Sequence, residues 1–125
     1  MIRTLAFLAL TSLPAAAQEP APPPEPGLTM VMVEQHGCIY CQRWNAEAAP
    51  AWPNTEVGQA APLRRVDRYG LPDDLTFASR PVFTPTFVLM RDGVELSRVE
   101  GYDPQFFWPM VERLVDEATA AGADG

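Results

Sequence analysis

The sequence contains no lysine and only one histidine, and all nine of its basic side chains are arginines. Sixteen aspartates and glutamates outnumber them, so the formal net charge is −7 at pH 7. Nucleic acids and anionic lipid surfaces attract proteins that carry clustered positive charge. The acidic balance therefore argues against both as partners of this chain.

Beyond its first 17 residues, the chain also lacks any apolar run long enough to cross a bilayer. The N-terminal stretch has a positive charge at Arg3, an apolar run over residues 5–13 and small residues at 15–17. This order is typical of a secretory signal peptide. We predict that residues 1–17 are a signal peptide cleaved after Ala17, with an uncleaved anchor as the alternative.

Three further segments follow the predicted signal peptide. Residues 18–27 are rich in proline, which predicts an extended spacer with no apolar face to bury. Residues 28–121 are expected to form one domain, which is long enough for a modest core. Residues 122–125 are expected to fray, and no internal repeat is visible in the sequence.

The first half of the predicted domain contains two strands and a helix. Residues 28–34 are almost continuously apolar, which indicates a strand buried on both faces. A helix should begin near Cys38 and end or kink at Pro50, and residues 52–55 are a second short piece or a loop. Residues 63–68 form another strand, and its three arginines and one aspartate favour a place at a sheet edge.

The next segment predicts a hairpin. Residues 71–74 open the connection and should form at best one or two helical turns. Residues 86–91 and 94–100 are apolar-rich runs, and the Asp-Gly pair between them is a strong turn signal. We therefore predict two antiparallel strands joined by a tight turn.

An amphipathic helix ends the domain. Apolar side chains recur at helical spacing between Phe107 and Ala118. Asp103 could cap this helix, but Pro109 would then lie in the helix interior and kink it. The alternative is a helix that begins at Trp108 after a short turn. The order β-α-β, crossover, β-β-α predicts an α/β fold.

The two cysteines, Cys38 and Cys41, lie two residues apart where the first predicted helix begins. A helix N-terminus stabilises a thiolate because its backbone N–H groups lack partners and carry partial positive charge. We predict that Cys38 is the attacking thiolate and that Cys41, one turn deeper, resolves the mixed disulfide.

Two other uses of this cysteine pair remain open. A structural disulfide is one, although such a short loop removes little entropy from the unfolded chain. A copper or zinc site with His36 is the other, although no second CxxC motif or spaced histidine pair completes it. Haem attachment is excluded because Gln42, rather than histidine, follows Cys41.

A second motif precedes the predicted hairpin: residues 83–87 read Phe-Thr-Pro-Thr-Phe. Proline at the start of such a strand needs a special reason. The order strand, CxxC, helix, Thr-Pro-Thr, hairpin and helix resembles the thioredoxin superfamily over residues 28–120. The resemblance implies a cis peptide bond between Thr84 and Pro85 beside the CxxC motif, whereas an ordinary trans proline is the alternative. It also implies that the Thr84 backbone pairs with an extended substrate segment.

The resemblance predicts a minimal thioredoxin-like fold, β-α-β-β-β-α, because the family's opening strand and helix are missing before residue 28. The four-stranded mixed sheet would have the order 2-1-3-4, with strand 3 antiparallel to strand 1. Thioredoxins carry a buried acid six residues before the first cysteine, and Met32 stands there in this chain. Proton transfer to Cys41 must then involve water or another group, for which Glu34 is a candidate.

Residues 33–44 and 83–90 are similar to the small periplasmic thioredoxins of bacterial sulfur-oxidation (Sox) systems. This similarity implies a periplasmic thiol–disulfide oxidoreductase that reduces a disulfide or persulfide on a partner protein with a reactive cysteine, such as a Sox sulfur carrier. Electrons would come from a membrane thiol carrier. The protein is expected to act as a monomer without cofactor or metal.

Two neighbours of the cysteines are candidate modulators. His36 could raise thiolate character when it is protonated, or it could be a solvated turn residue. Tyr40 stands before the second cysteine as in glutaredoxins, which work with glutathione. The direction of the reaction also stays open, because a Dsb-like disulfide oxidase or isomerase would use the same residues and differ in reduction potential.

Overall fold

The structure is a computed structural model that describes residues 27–123. The predicted signal peptide, all but the last residue of the predicted spacer and residues 124–125 lie outside this range. The limits assigned above to the signal peptide, the spacer and the domain therefore stay predictions.

The described chain forms a four-stranded sheet with helices. In chain order the elements are β1 (Leu28–Glu34), α1 (Ile39–Glu47), a short 3₁₀ helix (Trp52–Asn54), α2 (Glu56–Ala60), β2 (Leu63–Asp67), β3 (Thr86–Arg91), β4 (Val94–Glu100) and α3 (Phe107–Ala123). The strand order is β2-β1-β3-β4. β1 runs parallel to β2 and antiparallel to β3. The predicted fold class and sheet order are confirmed.

β1 lies between β2 and β3 in the sheet, and both of its faces are buried against a hydrophobic core. Successive side chains of a strand point to opposite faces. Met30 and Met32 accordingly pack in the larger core with the helices, and Val31 and Val33 pack in a smaller core on the other face. The smaller core is covered by side chains from the β2–β3 connection. The continuous apolar run in β1 is thus explained by burial on both sides.

The hairpin turn between β3 and β4 forms as predicted. Asp92 and Gly93 have φ angles of 51° and 79°. Positive φ at both central residues defines the turn type whose twist matches two antiparallel strands. The pairing of β3 with β4 shifts its register between Leu89 and Met90.

α3 begins at Phe107, so Pro109 lies in its first turn rather than in its interior. The carbonyl oxygen of Asp103 accepts hydrogen bonds from the backbone N–H groups of Phe106 and Phe107, which closes a turn ahead of the helix. Pro109 then lies in the first helical turn, where N–H groups have no intrahelical partner. A helix that begins after a short turn is the correct alternative, and it continues through Ala123.

Two local predictions differ from the structure. Residues 71–74 form one hydrogen-bonded turn rather than a helix, closed by a bond from the Leu75 N–H to the Pro72 carbonyl oxygen. The chain then continues along β4, where Thr76 bridges to Val94. The helix α2 was not predicted. Thr55 caps it, since its hydroxyl accepts the Gly58 N–H at 3.0 Å.

Candidate functional site around the cysteine pair

A tight turn places Cys38 at the N-terminus of α1. Gly37 has a φ of 77°, a conformation that glycine adopts at little cost. Cys38 is the N-cap residue, and its Sγ accepts the Cys41 N–H at 3.1 Å. The sulfur thus takes the role that an oxygen usually plays in capping a helix, and it lies at the positive end of the helix dipole.

Cys38 and Cys41 form a disulfide, and their Cα atoms are 5.2 Å apart. Both residues are buried, with exposed fractions of 7% for Cys38 and 3% for Cys41. The order of exposure agrees with the roles assigned from the sequence, although the roles themselves stay predictions. The structure therefore presents the oxidised state of a CxxC pair.

The loop before β3 contains a cis peptide bond between Thr84 and Pro85, as the family resemblance implied. Side-chain and backbone bonds fix this loop. The Thr86 hydroxyl donates to the Phe83 carbonyl oxygen at 2.6 Å, and the Pro85 carbonyl oxygen accepts the Gly101 N–H at 2.7 Å. Pro85 itself is buried, whereas Thr84 is partly exposed.

One groove beside the cysteine pair is mainly aromatic. It has a volume of about 440 Å³, and we call it the aromatic groove. Its lining residues are Tyr40, Phe83, Thr84, Glu100, Gly101 and Tyr102. The groove brings two of the predicted site residues together, since Tyr40 comes from α1 and Thr84 from the loop before β3. The rings of Tyr40 and Phe83 are 56% and 61% exposed and are available for contact.

A second groove has a different chemistry. It has a volume of about 480 Å³, and we call it the polar groove. Its lining residues are Glu34, Gln35, His36, Gly37, Cys38, Cys41, Gln42, Asn45, Arg65, Val66 and Asp67. The groove brings His36 together with both cysteines, and the role of His36 as a modulator stays a prediction. His36 is exposed there.

Arg65 belongs to this site, although the sequence alone suggested only a charged edge strand. Its Nη1 donates to Oε2 of Glu34 at 2.9 Å and to Oδ1 of Asn45 at 2.8 Å. The guanidinium also lies 5.5 Å from the ring centroid of Trp44. No local signal in the sequence places it there. The parallel register pairs Arg65 with Met32, which stands where the family carries its buried acid.

Met32 is fully buried in the larger core, and its Sδ lies 3.6 Å from Nη1 of Arg65. Glu34, two residues further along β1, supplies the carboxylate that pairs with Arg65. The family's buried acid is therefore absent from the core, and a partly exposed carboxylate lines the polar groove. The role of Glu34 in proton transfer remains a prediction.

Arg68 links the two loops that flank the cysteine pair. Its Nη1 donates to Oε1 of Gln35 at 3.4 Å, and its Nε donates to the Pro81 carbonyl oxygen at 3.3 Å. Gln35 lies in the turn before Cys38, and Pro81 lies in the segment that leads to Thr84. Arg68 thus ties the loops on both sides of the site to the end of β2.

A charged and phenolic network lies at the far wall of the aromatic groove. The Tyr102 hydroxyl donates to Oε2 of Glu47 at 2.7 Å, and Nε of Arg43 donates to Oε1 of Glu47 at 2.9 Å. The hydrogen bonds from Tyr102 and then from Arg43 lower the pKa of Glu47. Burial and then the bond to Glu47 raise the pKa of Tyr102 to about 12. Tyr102 is thus protonated, and a donor, over the neutral range.

Within residues 27–123, no group of three histidine, cysteine or carboxylate side chains is arranged to hold a metal ion. No helix in this part of the chain is both long and apolar enough to cross a membrane.

Known proteins supply the comparison that decides the family. A solved structure, the reduced form of the periplasmic thioredoxin SoxS from Paracoccus pantotrophus, matches with 50% sequence identity and a TM-score of 0.70. The match covers 73% of this chain and 98% of that one. The chain belongs to the thioredoxin superfamily. The chain carries a CxxC disulfide, Cys38–Cys41, at a helix N-terminus. It is therefore a thiol–disulfide oxidoreductase.

A more distant structure supports the fold alone. The Malassezia sympodialis thioredoxin Mala s 13 matches with 16% identity and a TM-score of 0.52, over 73% of this thioredoxin and 80% of that chain. A scan against protein-family models and a search of curated proteins found no match.

Proposed function

We propose that this thioredoxin is a periplasmic reductase that acts on a disulfide or persulfide of a partner protein in sulfur oxidation. The observation that carries the proposal is the 50% identity to a periplasmic thioredoxin named SoxS over nearly that whole chain. The predicted signal peptide over residues 1–17 supports export. The formal net charge of −7 argues against nucleic acid as a partner.

The reaction follows from the geometry of the two cysteines. In the reduced protein, the Cys38 thiolate attacks one sulfur of the partner's disulfide, which breaks that S–S bond, expels the other sulfur as a thiolate and forms a mixed disulfide with Cys38. Cys41 then loses its proton and attacks Sγ of Cys38, which releases the partner's thiol. Two electrons pass to the partner, and the Cys38–Cys41 disulfide is the product. With a persulfide, the same two electrons release hydrosulfide and leave the partner's cysteine free.

The surroundings of the disulfide support a protein substrate. Tyr40 and Phe83 offer exposed rings beside Thr84, whose backbone is expected to pair with an extended segment of the partner. A partner with a reactive cysteine on an accessible segment, such as a Sox sulfur carrier, would fit this surface. The oxidised protein would regain its electrons from a membrane thiol carrier.

A Dsb-like oxidase or isomerase is the second candidate. The observation that favours it is the hydrogen bond from the Cys41 N–H to Sγ of Cys38 at the helix N-terminus. This contact stabilises a thiolate, and a stabilised thiolate makes the disulfide a stronger oxidant.

The test uses the reduced protein without its signal peptide and a sulfur-carrier protein whose single cysteine is blocked as a mixed disulfide. We expect stoichiometric release of the blocking group and oxidation of Cys38 and Cys41 to a disulfide. Mass spectrometry measures both changes. Cys38→Ser is the control and should release nothing. A reduction potential near that of thioredoxin, about −270 mV, supports the reductase, and one near about −120 mV contradicts it.

A further inference from the structure

We propose that the ion pair between Glu34 and Arg65 sets the reduction potential of the Cys38–Cys41 couple. Arg65 is the cation that stabilises the cysteine thiolate, and Glu34 is the anion that limits this effect. Both are positioning residues, because they act on the charge of the sulfur atoms without touching the substrate. The inference depends on the redox couple alone and not on the identity of the partner.

The first observation is where the pair lies. Glu34 and Arg65 line the polar groove together with Cys38 and Cys41. Asn45, which accepts a hydrogen bond from Arg65, follows Cys41 by four residues on α1. Residues at this spacing lie on the same face of a helix, one turn apart. The guanidinium therefore contacts the face of α1 that carries the resolving cysteine.

The second observation is how firmly Arg65 is held. Its guanidinium contacts side chains from two elements: Glu34 and Met32 on β1, and Asn45 and Trp44 on α1. A charge fixed by several contacts keeps a constant distance from its target. A freely moving surface arginine would spread its charge over many positions and lose most of it to solvent.

The sign of the effect follows from the redox reaction. Reduction of the disulfide takes up two electrons and one proton and yields one thiol and one thiolate. A nearby cation stabilises that thiolate, favours the reduced form and raises the reduction potential. A nearby carboxylate does the opposite. Since the two charges of the pair partly cancel, removing either one exposes the other.

Arg65→Met and Glu34→Gln should therefore shift the couple in opposite directions. Arg65→Met should make the protein more reducing, and Glu34→Gln should make it more oxidising. Both side chains are partly exposed, which screens their charges. We expect roughly threefold to tenfold changes in the equilibrium constant against a reference dithiol, equivalent to about 15 to 30 mV. The double variant should return close to the original potential.

Arg64 supplies a matched control on the same strand. It forms an ion pair with Asp74 at 2.7 Å, and its side chain is 40% exposed, against 41% for Arg65. Neighbouring residues of a strand face opposite sides, and Arg64 does not line the polar groove. Arg64→Met removes an equal charge and should leave the potential unchanged.

The experiment measures the potential of each variant by equilibration with glutathione or dithiothreitol, at low and high salt. The ultraviolet absorbance of the thiolate reports its titration in parallel. Arg65→Lys keeps the charge and should stay near the original potential, while the shifts of the charge-removing variants should shrink in high salt.

Three results would overturn the proposal. Arg65→Met and Glu34→Gln could shift the potential in the same direction, Arg65→Lys could behave like Arg65→Met, or Arg64→Met could shift it equally. Any of these would assign the effect to packing or to overall charge. Circular dichroism of each variant confirms that it is folded before its potential is interpreted.

Discussion

The two grooves beside the disulfide present opposite kinds of surface. The aromatic groove offers exposed rings, which gain free energy from burial against a partner. The polar groove offers charged side chains, and both cysteines line it. The difference indicates a division of labour, in which affinity for the partner depends on the first groove and the redox properties depend on the second. Variants of each groove test this division.

The largest effect is expected at the cysteines themselves. Cys38→Ser should lower the rate of partner reduction by about three orders of magnitude or more, because the attacking sulfur is lost. Cys41→Ser should instead accumulate a mixed disulfide between Cys38 and the partner, because the second attack cannot occur. Non-reducing electrophoresis distinguishes the two variants. Equal trapping by Cys38→Ser would reverse the roles that we assign.

The stability of the fold should depend far more on the base of the aromatic groove than on the polar groove. Phe107 is 1% exposed, and it packs against Tyr102 with ring centroids 5.5 Å apart. Phe107→Ala should lower the free energy of unfolding by about 3 to 5 kcal/mol, since it leaves a cavity in the aromatic core.

Arg65→Met is the comparison for the polar groove, and it should change the free energy of unfolding by only about 1 kcal/mol or less. Urea titration of both variants measures the difference. If Phe107→Ala lowered the free energy of unfolding as little as Arg65→Met, Phe107 would not be the stabilising core contact beneath the aromatic groove.

The sequence was sufficient for the aromatic side of the site and for most of the fold. The apolar run of β1, the CxxC motif and the Asp-Gly turn are local signals, and each sets its element without help from distant residues. Thr84 and Tyr40 were named from motifs, and the structure places them in one groove.

The polar side depended on contacts that a sequence does not display. Arg65 was interpreted as protection of an edge strand, and β2 is indeed at the edge of the sheet. Its partner Glu34 lies 31 residues earlier, and only the register of two parallel strands brings them together. Helix α2 escapes prediction for a different reason, because five residues are too few to show a helical period.

Loss of one exposed ring from the aromatic groove should weaken partner binding without changing the chemistry. Phe83→Ala removes a side chain that is 61% exposed. We expect kcat/KM for the protein partner to fall by about tenfold to a hundredfold, mainly through a higher KM, since burial of an aromatic ring contributes about 1.5 to 3 kcal/mol. Reduction of a small disulfide and the reduction potential should stay the same.

Val94→Ala is the control for Phe83→Ala, because Val94 is 51% exposed on β4 and lines neither groove. Its kcat/KM should equal that of the unmodified protein. A change in the reduction potential of Phe83→Ala, comparable with that of Arg65→Met, would contradict the division between the two grooves.

The smallest effect concerns pH and the far wall of the aromatic groove. Burial and the bond to Glu47 raise the pKa of Tyr102 to about 12, above the value of about 10 for tyrosine in an unfolded chain. The stabilising contribution of Tyr102 is therefore complete below about pH 10 and is lost as the pH rises to about 12. Because the side chain is partly exposed, the loss should be no more than about 1 kcal/mol.

Tyr102→Phe should remove this alkaline component from the free energy of unfolding, measured by urea titration between about pH 9 and 12. An unchanged pH dependence in Tyr102→Phe would show that the phenol at this wall does not contribute to the alkaline loss of stability.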